Sequence, residues 1–133
     1  MTSQPFEQKR ILVTEHDMKV LQLLSEKIKV FGFKVETATT GNEALEKFQK
    51  FSPDIVIIDR DLERINGIQL LMKLFFNNPG VKLMLSTDEE INYDKFQLKD
   101  NIVAIINKAS TLSELEKIFS EKHLISNYTV GGK

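Results

Sequence analysis

Short runs of apolar residues alternate along this chain with longer stretches in which apolar residues recur every three or four positions. The first run, Ile11-Leu12-Val13, follows Lys9-Arg10 and stops at the polar cluster Thr14-Glu15-His16-Asp17, as a short buried strand does. From Met18 the period changes. Leu21, Leu24, Ile28 and Phe31 share one helical face, and Gly32 ends the helix. Phe33 to Thr37 alternates apolar and polar, which predicts a second strand with one wetter face. Thr40-Gly41-Asn42-Glu43 has capping-box spacing. Ala44, Leu45, Phe48 and Phe51 then supply the apolar stripe of a second helix, closed by Ser52-Pro53.

Ile55-Val56-Ile57-Ile58 is β-branched and apolar on both faces, the mark of a central strand in a parallel sheet, and Asp59 follows at once. A charged loop leads to Asn66-Gly67, which opens a third helix carrying Ile68, Leu71, Met72 and Phe75 before the breaker Asn77-Asn78-Pro79-Gly80. Val81 to Leu85 predicts a fourth strand. Thr87-Asp88-Glu89-Glu90 caps a weakly patterned fourth helix with Ile91, Phe96 and Leu98. Ile102 to Ile106 predicts a fifth strand, and Thr111-Leu112-Ser113-Glu114 caps a last helix through Leu115, Ile118 and Phe119. The phenylalanines, including the pair Phe75-Phe76, read as core packing, and His123 as a partner for the negative end of the last helix.

Five strands alternating with five helices, each crossover long enough for a right-handed βαβ unit, predict an α/β fold: a doubly wound five-stranded parallel sheet. At 133 residues a single domain is expected, residues 9–125, between an N-terminal extension 1–8 and a C-terminal tail or linker start 126–133. A net charge of −1 gives no broad field for nucleic acid or an anionic membrane, so neither is expected as a direct partner. The absence of cysteine excludes disulfides, thiolate metal sites and a catalytic thiol. With a polar start unlike a signal peptide and no apolar stretch near the length of a membrane span, the expected location is cytoplasmic.

In sheets of this kind ligands sit outside the carboxyl ends of the strands, where strand order reverses. There this chain places Glu15, His16 and Asp17 after the first strand, Asp59 and Asp61 after the third, Ser86 and Thr87 after the fourth, and Asn107 and Lys108 after the fifth. Acidic residues after two strands, a hydroxyl after another and a lysine after the last resemble the receiver domain of two-component response regulators, a CheY-like, flavodoxin-like fold. The resemblance covers nearly the whole chain, and Pro53 to Asp59 followed by Asn66-Gly67 is similar to the family's phosphoacceptor strand and the loop beyond it.

The resemblance implies a phosphoacceptor at Asp59, phosphorylated by a partner histidine kinase or phosphotransfer protein, with Ser86 as the hydroxyl that follows phosphorylation and Lys108 as the paired cation. It implies Mg²⁺ held by Glu15, Asp59 and the backbone carbonyl of Asp61, and a signalling switch rather than an enzyme. A carboxylate attacking a phosphoryl donor needs charge neutralised on the transferring oxygens, and a hard cation with oxygen ligands and a lysine supply that.

The pattern departs at several points. The second acidic position after the first strand is His16, and imidazole is a poor Mg²⁺ ligand, so weakened metal affinity is expected. Glu15 could reach the metal with its longer side chain, Asp17 could turn inward, or His16 could favour a softer ion such as Zn²⁺ or Mn²⁺. Ile105 stands at the family's switch aromatic, Ala109 replaces the proline after the lysine, and Thr87 could crowd Asp59. The expected function is therefore a receiver signalling to a downstream protein or domain. The alternative is a pseudo-receiver working through phosphorylation-independent contacts or a homodimer. A flavodoxin-like cofactor domain ranks last, because Thr14-Glu15-His16-Asp17 would repel a phosphate.

Overall fold

The computed structural model describes residues 9–62, 64–87 and 102–107, together with Ser113 and Lys117. Its elements run β1 (Arg10–Thr14), α1 (Met18–Val30), β2 (Lys34–Ala38), α2 (Gly41–Phe51), β3 (Ile55–Asp59), α3 (Gly67–Asn77), β4 (Lys82–Thr87) and β5 (Ile102–Asn107). The helix expected after Thr87 lies outside the described residues, as do Lys108, Ala109, His123 and both terminal segments. Of the helix expected after Thr111, Ser113 and Lys117 are described, and both are helical.

The strands form one parallel sheet in the order β2-β1-β3-β4-β5, the doubly wound arrangement expected. The chain steps from β1 outward to β2, then crosses back to place β3 on the other side of β1. The carboxyl ends of β1 and β3 therefore flank the point where the winding reverses.

Side-chain alternation divides the core into two layers. Ile11, Val13, Ile55, Ile57, Met84 and Ile106 face α1, packing against Leu21, Leu24 and Ile28. Leu12, Val56, Ile58, Leu83 and Leu85 face α2 and α3, packing against Ala44, Phe48, Leu70, Leu71 and Leu74. Every residue of β3 is 0–1% exposed, which is why this run has no polar position before Asp59. Burial of each such aliphatic side chain stabilises the fold by roughly 1.5–3 kcal/mol, so β3 is firmly anchored on both faces.

The helices begin where their polar side chains can satisfy free N–H groups. Asp17 caps α1, its Oδ1 accepting from the N–H groups of Lys19 (2.9 Å) and Val20 (3.2 Å). Thr40 caps α2 by accepting from the Glu43 N–H, but the return arm of Glu43 reaches Thr39, one residue further out than the expected box. Asn66 and Gln69 form a complete capping box on α3.

Three local expectations are corrected. β4 continues through Ser86 and Thr87, both buried, because β5 is available to pair with them, so the strand runs two residues past the expected end at Leu85. Phe76 is 72% exposed, whereas Phe75 packs edge-on against it and toward the core. Met72 also lies on the outer side of α3, whose inner face is Leu70, Leu71 and Leu74.

Candidate functional site

β1 ends at Thr14, whose buried hydroxyl donates to the Ile57 carbonyl (3.0 Å) and ties the ends of β1 and β3 together. Glu15 follows directly, its N–H donating to the Ala38 carbonyl (3.0 Å), and the residue is only 4% exposed. The chain then turns out at His16 toward the cap of α1.

Asp59 is fully buried at the last position of β3. Its Oδ1 accepts from the Asp61 N–H at 2.9 Å, which fixes the plane of the carboxylate. Its Oδ2 points to the β1–α1 turn, where it lies 2.5 Å from His16 Nδ1 and 3.4 Å from the His16 N–H. The same imidazole nitrogen lies 3.4 Å from Glu15 Oε2. Glu15, His16 and Asp59 thus each offer one donor atom within 4.8 Å of the others.

Strand register brings in the hydroxyl. Asp59 pairs with Ser86 across the β3–β4 ladder, and the two stand on the same face of the sheet, following Ile57 and Met84 of the α1 layer. Ser86 is buried at 3% exposure, and its carbonyl accepts from the Arg60 N–H at 2.9 Å. Thr87, one position on, alternates to the opposite face and registers with Asn107.

The acidic residues therefore separate. Glu15 joins Asp59, whereas Asp17 is engaged as the cap of α1 and does not turn inward. Asp61 has an exposed side chain and meets Asp59 through its backbone. Lys108 follows β5, whose last residue, Asn107, pairs with Thr87 at this edge. Ile105 registers with Leu85 in the same ladder.

Gly67 was read only as a helix opener, and its role at the site needs the tertiary structure to be seen. The start of α3 lies against the end of β3, with the Gly67 N–H donating to the Arg60 carbonyl at 2.8 Å. A Cβ on Gly67 would collide with the backbone carbonyl of Asp59. The sequence signal was the Asn66-Gly67 pair itself, which marks a turn without showing what the turn touches.

The chain belongs to the response regulator receiver domain family, whose model matches residues 11–120. It is 29% identical over 87 residues to the alkaline phosphatase synthesis transcriptional regulatory protein PhoP of Bacillus subtilis, covering 65% of this chain and 36% of that protein. It is 31% identical over 78 residues to the chemotaxis protein CheY of Thermotoga maritima, covering 58% of this chain and 65% of that one. The chain thus spans less than two thirds of either relative. Among solved structures, it is similar to the response regulator protein TrrA of Thermotoga maritima in complex with Mg²⁺-BeF, at 28% identity and a TM-score of 0.71, covering 82% of this chain and 94% of that one. A response regulator receiver domain protein from Clostridium thermocellum has the same fold, with a TM-score of 0.74 at 21% identity, covering 88% of this chain and 94% of that one.

Receiver domains bind Mg²⁺ in an acidic pocket, and two of the donors here suit that ion. Glu15 and Asp59 offer carboxylate oxygens, the ligands a small hard cation requires. His16 does not suit it. Its imidazole stands at hydrogen-bond distance from the Asp59 oxygen that faces the pocket, where an oxygen ligand or a metal-bound water would be needed. As a set, the three donors do not fit Mg²⁺.

Proposed function

We propose that this chain is the phosphorylatable receiver of a two-component response regulator, with Asp59 as the acceptor. The observation that carries the reading is the setting of Asp59: a fully buried carboxylate at the winding reversal, held by the Asp61 N–H and in register with Ser86. The donor is a phosphohistidine on a partner histidine kinase or phosphotransfer protein. An oxygen of Asp59 attacks phosphorus, and an acyl phosphate bond forms as the phosphorus–nitrogen bond breaks. The electron pair leaves with the donor imidazole, which takes up a proton.

Backbone N–H groups, the Ser86 hydroxyl and Lys108 are the chain's own means of balancing charge on the transferred oxygens. Lys108 acts as a point charge, and Ser86 follows the phosphoryl group as its hydrogen-bond partner. The rearranged β4 edge then passes the change to a downstream effector protein or domain. The chain works as a switch that accepts the group, not as an enzyme acting on a separate substrate, and we place it in the cytoplasm. No helix among the described residues is long and apolar enough to cross a membrane.

Incubation with acetyl phosphate and a divalent cation, supplied as Mg²⁺ and as Mn²⁺ in turn, tests this by intact mass. Wild type is expected to gain one phosphoryl group and Asp59→Asn none. No gain in wild type with either ion, or an equal gain in the variant, overturns the assignment.

A further inference from the structure

We infer that Glu15, His16 and Asp59 form a site for a divalent transition-metal ion of the zinc type, taken in preference to Mg²⁺. The inference concerns the same pocket as the proposed phosphoacceptor and rests on that reading only for the pocket's role, since metal binding is measurable without any phosphoryl donor.

The donor chemistry comes first. One imidazole nitrogen with two carboxylate oxygens suits borderline first-row ions, whose affinity for nitrogen rises toward the end of the series, whereas Mg²⁺ gains nothing from nitrogen. Both carboxylates are more than nine-tenths buried, which places their charge where a cation neutralises it most effectively. The His16 side chain is 42% exposed, so the pocket is open on the imidazole side and an ion can enter past it.

Geometry supports the same choice. In a tetrahedral site with metal–ligand bonds of about 2.0–2.1 Å, neighbouring donors stand about 3.4 Å apart. His16 Nδ1 and Glu15 Oε2 are 3.4 Å apart already. His16 Nδ1 and Asp59 Oδ2, at 2.5 Å, share a hydrogen. A metal ion replaces that hydrogen, with the imidazole proton carried on Nε2, and the ring must withdraw by roughly an ångström to admit it. That small movement lies at a half-exposed turn residue. Waters or phosphoryl oxygens complete the shell.

Asp17 does not compete for the ion, because its carboxylate is committed to the N–H groups of α1. His123 is the only other histidine in the sequence and serves as the control for adventitious binding.

The test is calorimetric titration of the full chain with Zn²⁺ and with Mg²⁺ in the absence of phosphoryl donors, alongside NMR of the His16 ring. Wild type is expected to bind one Zn²⁺ at least about a hundredfold more tightly than Mg²⁺, with the His16 ring nitrogens shifting on addition of Zn²⁺. His16→Ala should lower Zn²⁺ affinity by at least about tenfold and leave Mg²⁺ affinity unchanged or raised. Circular dichroism checks that the variant folds, and His123→Gln should bind as wild type does. Equal loss of both ions in His16→Ala, undiminished Zn²⁺ affinity in it, or a silent His16 ring would overturn the inference. The two readings fail separately. Phosphoryl gain without Zn²⁺ selectivity removes only the metal inference, and selective Zn²⁺ binding without phosphoryl gain removes only the acceptor.

Discussion

Replacing Gly67 with alanine is expected to weaken the fold, although helix propensity alone argues the reverse. Gly67 is the first residue of α3, and exchanging glycine for alanine within a helix is ordinarily favourable by up to about 1 kcal/mol. Here the added Cβ would overlap the Asp59 carbonyl oxygen and stand 2.6 Å from Arg60 Cα. Both are backbone atoms. Neither can rotate away, because the Arg60 N–H is bonded to Ser86 and its carbonyl receives the Gly67 N–H. Relief requires moving either the end of β3 or the start of α3. Overlap with two fixed backbone atoms belongs at the upper end of the usual overpacking cost of about 1–3 kcal/mol, so after the propensity gain the net loss should be about 2 kcal/mol. Urea unfolding followed by circular dichroism measures it, with Gly80→Ala as the control. The nearest contact of a Cβ at Gly80 is Asn78 Oδ1 at 3.5 Å, and that variant should stay within about 0.5 kcal/mol of wild type. Gly41→Ala meets a side chain, Ile65, which can shift, and should fall between the two. If Gly67→Ala proves as stable as Gly80→Ala, the close approach of α3 to Asp59 is refuted.

Two further outcomes follow from the caps. Asp17→Ala should cost about 0.5–2 kcal/mol of stability through loss of the α1 cap while leaving metal affinity unchanged; a clear drop in affinity by calorimetry would show that Asp17 is a ligand after all. The Thr39 N–H, followed by Lys47, holds the Glu43 carboxyl below its ordinary value of 4.5. Because the folded value is the lower one, this stabilisation is fully present above 4.5 and is lost as pH falls through the folded value. Glu43→Gln should therefore flatten the fall in stability between about pH 5 and pH 3, and parallel curves for variant and wild type would contradict it.

Much of the architecture was legible along the chain because it depends on local pattern. β3 could be read from four consecutive β-branched residues, since a strand buried on both faces has no polar position. Asp17, Thr40 and Asn66 stand where helix periodicity begins because the free N–H groups there need acceptors. The candidate pocket was legible in part for a related reason: in a parallel sheet, residues just after successive strands converge on one edge. Which residues converge in contact was not legible. Ser86 stands beside Asp59 only because β4 registers on β3, and Thr87 falls on the opposite face by alternation within a strand that extends to Thr87 because β5 pairs with it. Phe75 and Phe76 are the same residue type in adjacent positions, and only the packing of α3 on the sheet leaves one of them 72% exposed. Glu15, His16 and Asp17 are three adjacent polar residues, separated into a buried carboxylate, a half-exposed imidazole on Asp59 and a helix cap by the turn between β1 and α1. Sequence determined the elements and the chemistry at their ends. Contacts between residues distant along the chain decided which of those groups share a hydrogen or a face of the sheet, because such contacts depend on register and packing.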